Sequence, residues 1–276
     1  MADTAFQIQY RQEFIAGFEQ NQSLVRQTVT TEAVIKGNQA TFLIADSGAA
    51  TAVTRGVNGL IPARADNLTQ TTATLQEWHD LVRRTNFNIF ASQGDGRKIM
   101  QRTTMAVLNR KMDQDIITEL SNGTNDTGAA VTASLNLVMY ALTILGNNEV
   151  PLDGNISALI SPGFYAYLMQ VKEFASADYV NNKPFTGMLT MFRWSNVNWI
   201  VHPNLPGKGT NAEKCFMYHK DAIGHAMDST TLDTVVDYNK EHDYTFARAS
   251  GFFGSKLLQN KGIVVMNHDG SAFAAQ

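Results

Sequence analysis

A chain of 276 residues, 44% of them hydrophobic, is long enough for one large domain or two interleaved ones with a sizeable core. Charged residues make up only 17%, against about 25% in typical globular chains, so neutral groups must cover much of the surface, which suits extensive subunit contact. A net charge of −3 with no Lys/Arg tract excludes a protein that grips nucleic acid through a basic stripe, and the single cysteine, Cys215, excludes an intrachain disulfide.

The first residues, Met1-Ala2-Asp3-Thr4, lack the basic-then-apolar pattern of a secretion signal, and no apolar run approaches the ~18 residues of a membrane span. Synthesis and folding in a cytoplasm are the expectation. Phe6, Tyr10, Phe14 and Phe18 recur every four residues and predict an amphipathic terminal helix. Its aromatic face covers either the chain's own core or a neighbouring subunit.

From about Thr28 to Trp78 the character changes. Residues 37–75 hold four charges, Asp46, Arg55, Arg64 and Asp66, among many Ala, Thr, Asn and Gly. Strand-like runs, Thr41-Phe42-Leu43-Ile44 and Thr71 to Leu75, flank the turn-prone pairs Ser47-Gly48, Arg55-Gly56 and Asn58-Gly59. A structureless loop of this length is uncommon in a compact domain, so a long β-hairpin arm is predicted. With few large side chains it is stable chiefly when laid on something else, such as a neighbouring subunit.

Phe87-Asn88-Ile89-Phe90 reads as a strand. A long helix follows over about 96–121, with Leu108, Met112, Ile116 and Leu120 in one stripe and Asn122-Gly123 as its stop. Its charges oppose the helix dipole: Arg97, Lys98 and Arg102 sit at the positive end, and Asp113, Asp115 and Glu119 toward the negative end. Each exposed mismatch costs about 0.3–1 kcal/mol. Partners across a subunit interface or on the arm are expected to offset it.

A polar linker at 124–134 leads to a helix from Leu135, a buried strand Ile156-Ser157-Ala158-Leu159-Ile160, and a helix opened by Ser161-Pro162. Strands at Trp199-Ile200-Val201 and Phe216-Met217-Tyr218 make this block read as α/β. The tail is strand-like from Thr231 to Tyr238. Asn260-Lys261-Gly262 reads as a hairpin turn before Ile263-Val264-Val265-Met266, and the closing strands are expected beside the long helix.

Three segments carry a resemblance. The long helix ends Asp113-Gln114-Asp115-Ile116-Ile117-Thr118-Glu119-Leu120-Ser121-Asn122-Gly123, the α/β block steps back through Asp221-Ala222-Ile223-Gly224, and the last apolar strand precedes Asn267-His268-Asp269-Gly270. In this order over nearly the whole chain they resemble the major capsid proteins of tailed bacteriophages, with the Hong Kong 97-type fold. The resemblance implies an α+β subunit: an N-terminal arm at 1–27, an extended β-hairpin loop at 28–80, a peripheral domain from 81–130 and 227–276 containing the spine helix, and an axial domain at 131–226. It further implies self-assembly into hexamers and pentamers of an icosahedral virion shell. That shell is assembled in the host bacterial cytoplasm and encloses double-stranded DNA held weakly and non-specifically. Expected partners are a separate scaffolding protein, a portal and decoration proteins; no membrane, cofactor, metal or catalytic residue is expected. Candidate assembly-interface residues are Phe14, Phe18, Lys36, Arg55, Arg64, Arg97, Arg102, Asp113 and Glu119. A Lys–Asn crosslink of the kind some members form is a poor match, because Lys36 lies at the base of the loop.

Two other readings are kept beside it. An encapsulin-type compartment has a similar length and the same fold. An enzyme of another class is suggested by Leu43-Ile44-Ala45-Asp46-Ser47-Gly48-Ala49, which is similar to the active-site loop of aspartic proteases; with one such motif in the chain, Asp46 must find its partner in a symmetric dimer. Cys215, His219 and His225 suggest a metal site, but no fourth ligand stands at matching spacing and ordinary core roles are expected for them.

Overall fold

The computed structural model describes residues 23–31, 34–47, 49–64, 67–85, 87–88, 96–175, 191–228 and 233–273. In chain order the strands and helices are β1 (Val34–Lys36), β2 (Gln39–Asp46), β3 (Asn67–Thr74), β4 (Gln76–Thr85), α1 (Gly96–Leu120) and α2 (Leu135–Asn147). β5 (Ile156–Ile160), α3 (Pro162–Leu168), α4 (Lys172–Ala175), β6 (Met191–Trp194), β7 (Val197–Val201) and β8 (Glu213–His219) follow, then β9 (Ile223–Met227), β10 (Asp233–Asn239), β11 (Tyr244–Leu257) and β12 (Ile263–His268). The long helix appears as expected, 25 residues or about 37 Å. Residues 87–88 are helical where a strand is predicted. The predicted terminal helix, with Phe14 and Phe18, lies outside the described residues.

The chain divides into two compact units. The first takes 77–112 and 228–252. Its sheet runs β10-β11-β4. β4 alternates cleanly, with Trp78, Asp80, Val82 and Arg84 turned inward and their neighbours exposed, as a half-buried strand should. β10 and β11 pair from Asp233↔Ser250 to Asn239↔Tyr244. Small residues, Ala247 and Ala249, are buried on β11, and Met100, Leu108 and Met112 on the helix. The Lys111 ammonium lies 4.0 Å from the centroid of the Trp78 ring, a cation–π contact that seats the indole.

The second unit comprises 24–76, 113–227 and the chain from Phe253 onward. Its core is a five-stranded sheet ordered β12-β8-β5-β7-β6, parallel only between β5 and β7. All five residues of β5 are buried, which fits an uninterrupted run at the centre of a sheet covered on both faces. Leu137, Val138, Ala141 and Leu145 form the buried stripe of α2, whose N-cap Ser134 accepts the Leu137 N–H. Ser161 caps α3 by accepting the Phe164 N–H at 3.0 Å, with Pro162 at its first position. Fully buried Trp199 donates its indole N–H to the Trp194 carbonyl at 3.1 Å and stacks on Phe192.

The tail departs from expectation. Strands 233–252 do accompany the helix's first part, but Phe253–Leu257 pairs with β9 and β12 pairs with β8. Asn260-Lys261-Gly262 is therefore a tight 3₁₀ turn between two different sheets and not a hairpin. Four consecutive apolar residues, Ile263–Met266, need cover on both faces, and as part of the five-stranded sheet all four are buried in the core. Asn125 holds the turn by donating to the carbonyls of Asn260 and Ile263 at 2.8 and 3.0 Å.

Candidate assembly surface

The low-charge segment folds as the predicted arm. β2 and β3 pair antiparallel over eight residues, from Gln39↔Thr74 to Asp46↔Asn67, with β1 added on the other side of β2. At its root, period-2 alternation turns Ala40 and Phe42 to one face, beside Ala73 of β3 and Ala226 of β9 in a small core of their own. The Phe42 ring lies directly on Gly224, where an added Cβ would fall 2.6 Å from it. A Cβ on Gly254 would likewise fall 2.3 Å from the Thr74 carbonyl. Two glycines thus let the hairpin root lie against β9 and β11, and the Ala222-Ile223-Gly224 step acquires a packing reason.

Beyond the root the arm has no core. Leu43, Val53, Val57, Leu60, Ile61 and Leu68 are between 61% and 106% exposed. Fully burying one such side chain is worth about 1.5–3 kcal/mol, so six on one arm are a surface awaiting cover. Lys36, Arg55 and Arg64 are also exposed on this segment, and Arg102 on α1. The side chain of Arg97 lies outside the described residues. The exposed apolar groups were the part missed in the sequence; the signal was Leu43 and Leu68 in strands rich in Thr, Gln, Ala and Asn.

One expected interface residue, Asp113, turns inward, which corrects its assignment, while Glu119 is half-buried. Asp113 is fully buried; its carboxylate accepts the amides of Leu24 at 3.1 Å and Val25 at 3.4 Å and faces His202 Nε2 at 3.4 Å. Because His202 Nδ1 accepts the Asn204 N–H, its proton sits on Nε2 and is donated to Asp113. Glu119 accepts the Leu257 N–H at 3.0 Å. Two of the three carboxylates toward the negative end of the helix, Asp113 and Glu119, are thus offset within the chain by backbone amides, whose partial positive charge opposes the dipole mismatch. Asp113 also anchors the chain that follows the N-terminal segment: Val25 and Val29 are buried, Thr28 and Tyr218 share a hydroxyl hydrogen bond, and Thr30 bridges to Gly224.

Asp46 ends β2 opposite Asn67, and no second Asp-Ser-Gly exists in the chain to complete a dyad. The suspected metal trio is dispersed. His219 donates through Nε2 to Asp153 at 3.3 Å, since its Nδ1 accepts the Asp221 N–H. His225 Nδ1 meets Ser255 Oγ at 3.0 Å. Cys215 instead lies with Glu213 and His268. Burial pushes the Cys215 thiol far up. Burial also pushes the Glu213 carboxyl up, but the neighbouring His268 ring, the Ser161 hydroxyl and the Gly209 amide together hold it below its usual range.

The fold as a whole recurs in solved capsid structures. The chain is similar to a structure from Mycobacterium phage Che8, at 18% identity and a TM-score of 0.72, over 93% of this chain and 98% of that one. It is also similar to the capsid of cyanophage P-SCSP1u, at 14% identity and TM-score 0.71, over 96% and 93% of the two chains. A third similarity is to the capsid of a native GTA particle, at 13% identity and TM-score 0.71, over 93% of each. These likenesses define a Hong Kong 97-type capsid fold. The chain belongs to the phage capsid protein family, whose model matches residues 2–269. No curated protein matches it significantly.

Proposed function

We propose that this capsid protein is the repeating subunit of an icosahedral phage head, arranged as hexamers and pentamers around double-stranded DNA. The hairpin arm carries the reading: six exposed apolar side chains beyond a root of two small strand faces suit a neighbouring subunit lying beneath it. In this reading Lys36, Arg55, Arg64, Arg97 and Arg102, with Phe14 and Phe18 of the terminal segment, contribute to contacts between copies. The axial domain at 131–226 falls within the second unit with its five-stranded sheet, and the peripheral segments 81–112 and 228–252 within the first, while 113–130 and 253–276 of the peripheral domain belong to the second unit. A net charge of −3 suits a container that leaves its DNA mobile. Assembly takes place in the host cytoplasm on a separate scaffolding protein, with a portal and decoration proteins as further partners.

Electron microscopy of the purified chain, with size-exclusion chromatography, tests the reading. Hollow shells or rings of five and six subunits are expected, and a diameter of phage-head size separates a head from a small encapsulin-type compartment. Replacing residues 49–64 with a short Gly-Ser connection is expected to leave a folded subunit that builds no shells. Normal shells from that variant, or a strictly monomeric wild type even with its scaffold, would overturn the proposal.

A further inference from the structure

Strand periodicity puts Glu213 and Cys215 on one face of β8, and the β8–β12 register sets His268 directly opposite Glu213. The three donor atoms lie within 4.8 Å of one another, and all three residues are at most 1% exposed. They form the one such thiol–imidazole–carboxylate grouping among the described residues.

Their hydrogen bonding is incomplete. His268 Nδ1 and Glu213 Oε2 are 3.6 Å apart, too long for a hydrogen bond. Both ring nitrogens of His268 and Glu213 Oε1 are buried without a hydrogen-bond partner. Buried polar atoms are costly to leave unsatisfied, so something is expected to satisfy these. The surroundings hold the donors in place. The Gly209 N–H binds Glu213 Oε2 at 3.1 Å. The rings of Phe164 and Tyr167 flank the imidazole at 5.0 and 5.6 Å.

We propose that Glu213, Cys215 and His268 bind a single borderline divalent cation, with zinc as the best chemical match. Thiolate, imidazole and carboxylate are the three protein ligand types zinc accepts, and a contraction of the trio by about 1 Å brings them to the separations of a tetrahedral site. The Ser161 hydroxyl or a water takes the fourth position. Binding is a ligation without redox change: the Cys215 thiol loses its proton to solvent, His268 binds through a neutral nitrogen, and Glu213 binds as the carboxylate. The role is structural. β12 ends the strand order of its sheet, and the ion pins its last residue to β8 and to the capped start of α3.

The chain's single cysteine makes the test specific. The full chain, produced in cobalt-supplemented medium, is expected to carry one cobalt per chain and a sulfur-to-cobalt charge-transfer band that excess zinc abolishes. Cys215→Ser is expected to remove the band, and His268→Gln to weaken the metal more than tenfold while the thiol remains. Should Cys215→Ser fold poorly, the wild-type spectrum and the His268→Gln variant decide. A folded wild-type chain with no band and no bound metal overturns the proposal. A band unaffected by His268→Gln and by Glu213→Gln does so too.

Discussion

Two buried side chains show how much of this subunit rests on single polar contacts. Asp113 has no exposed surface, and the Leu24 and Val25 amides and the His202 ring stand in for water around its carboxylate. Truncating it leaves three donors buried and unpaired. Asp113→Ala is expected to lose about 3–5 kcal/mol in urea denaturation, and exposed Lys36→Ala less than about 0.5. His225 makes a pH prediction. Burial, with the Arg26 charge beside it, lowers its pKa from 6.5 to about 4. The unfolded chain therefore binds a proton below pH 6.5 that the folded chain refuses. Stability from this residue is complete above 6.5 and is lost as pH falls toward 4, by about 3 kcal/mol at 1.4 kcal/mol per pH unit. In thermal melts between pH 7 and 4, His225→Gln is expected to flatten that part of the decline; an unchanged slope would refute the assignment.

At the scale of elements, the hairpin root and the spine helix follow different rules. The root is a small jigsaw of Ala40, Phe42 and Ala73 against Gly224 and Ala226, so volume decides it. Gly224→Ala drives a methyl into the Phe42 ring and is expected to cost about 1–3 kcal/mol. The same change in a Phe42→Leu background is expected to cost clearly less, and a double-mutant cycle with no coupling would count against this packing. The helix is decided by electrostatics: its acidic end is tolerated because Asp113 and Glu119 accept backbone amides from Leu24, Val25 and Leu257. Ser161, one hydroxyl at the start of α3, is expected to contribute about 1 kcal/mol, lost in Ser161→Ala.

For the whole molecule, the two units and the arm divide labour. The units bury their own cores; the arm leaves its apolar groups outside. Trimming residues 49–64 is therefore expected to leave the thermal midpoint nearly unchanged while abolishing shells in micrographs, and a large fall in the midpoint would show that the tip serves the fold itself.

Local pattern alone determined much of this protein. The stripe of Leu108, Met112, Ile116 and Leu120, the Ser161-Pro162 start and the low-charge arm were legible because helix period, capping and turn chemistry act within a few residues. Their order along the chain carried the capsid resemblance. Tertiary structure alone decided where β12 goes, which way Asp113 faces, and that Glu213 and Cys215 meet His268. Each of these depends on a partner tens of residues away, as with His268 and Glu213 in the β12–β8 register. Periodicity names the face a residue occupies, but only strand pairing and helix packing choose what that face meets.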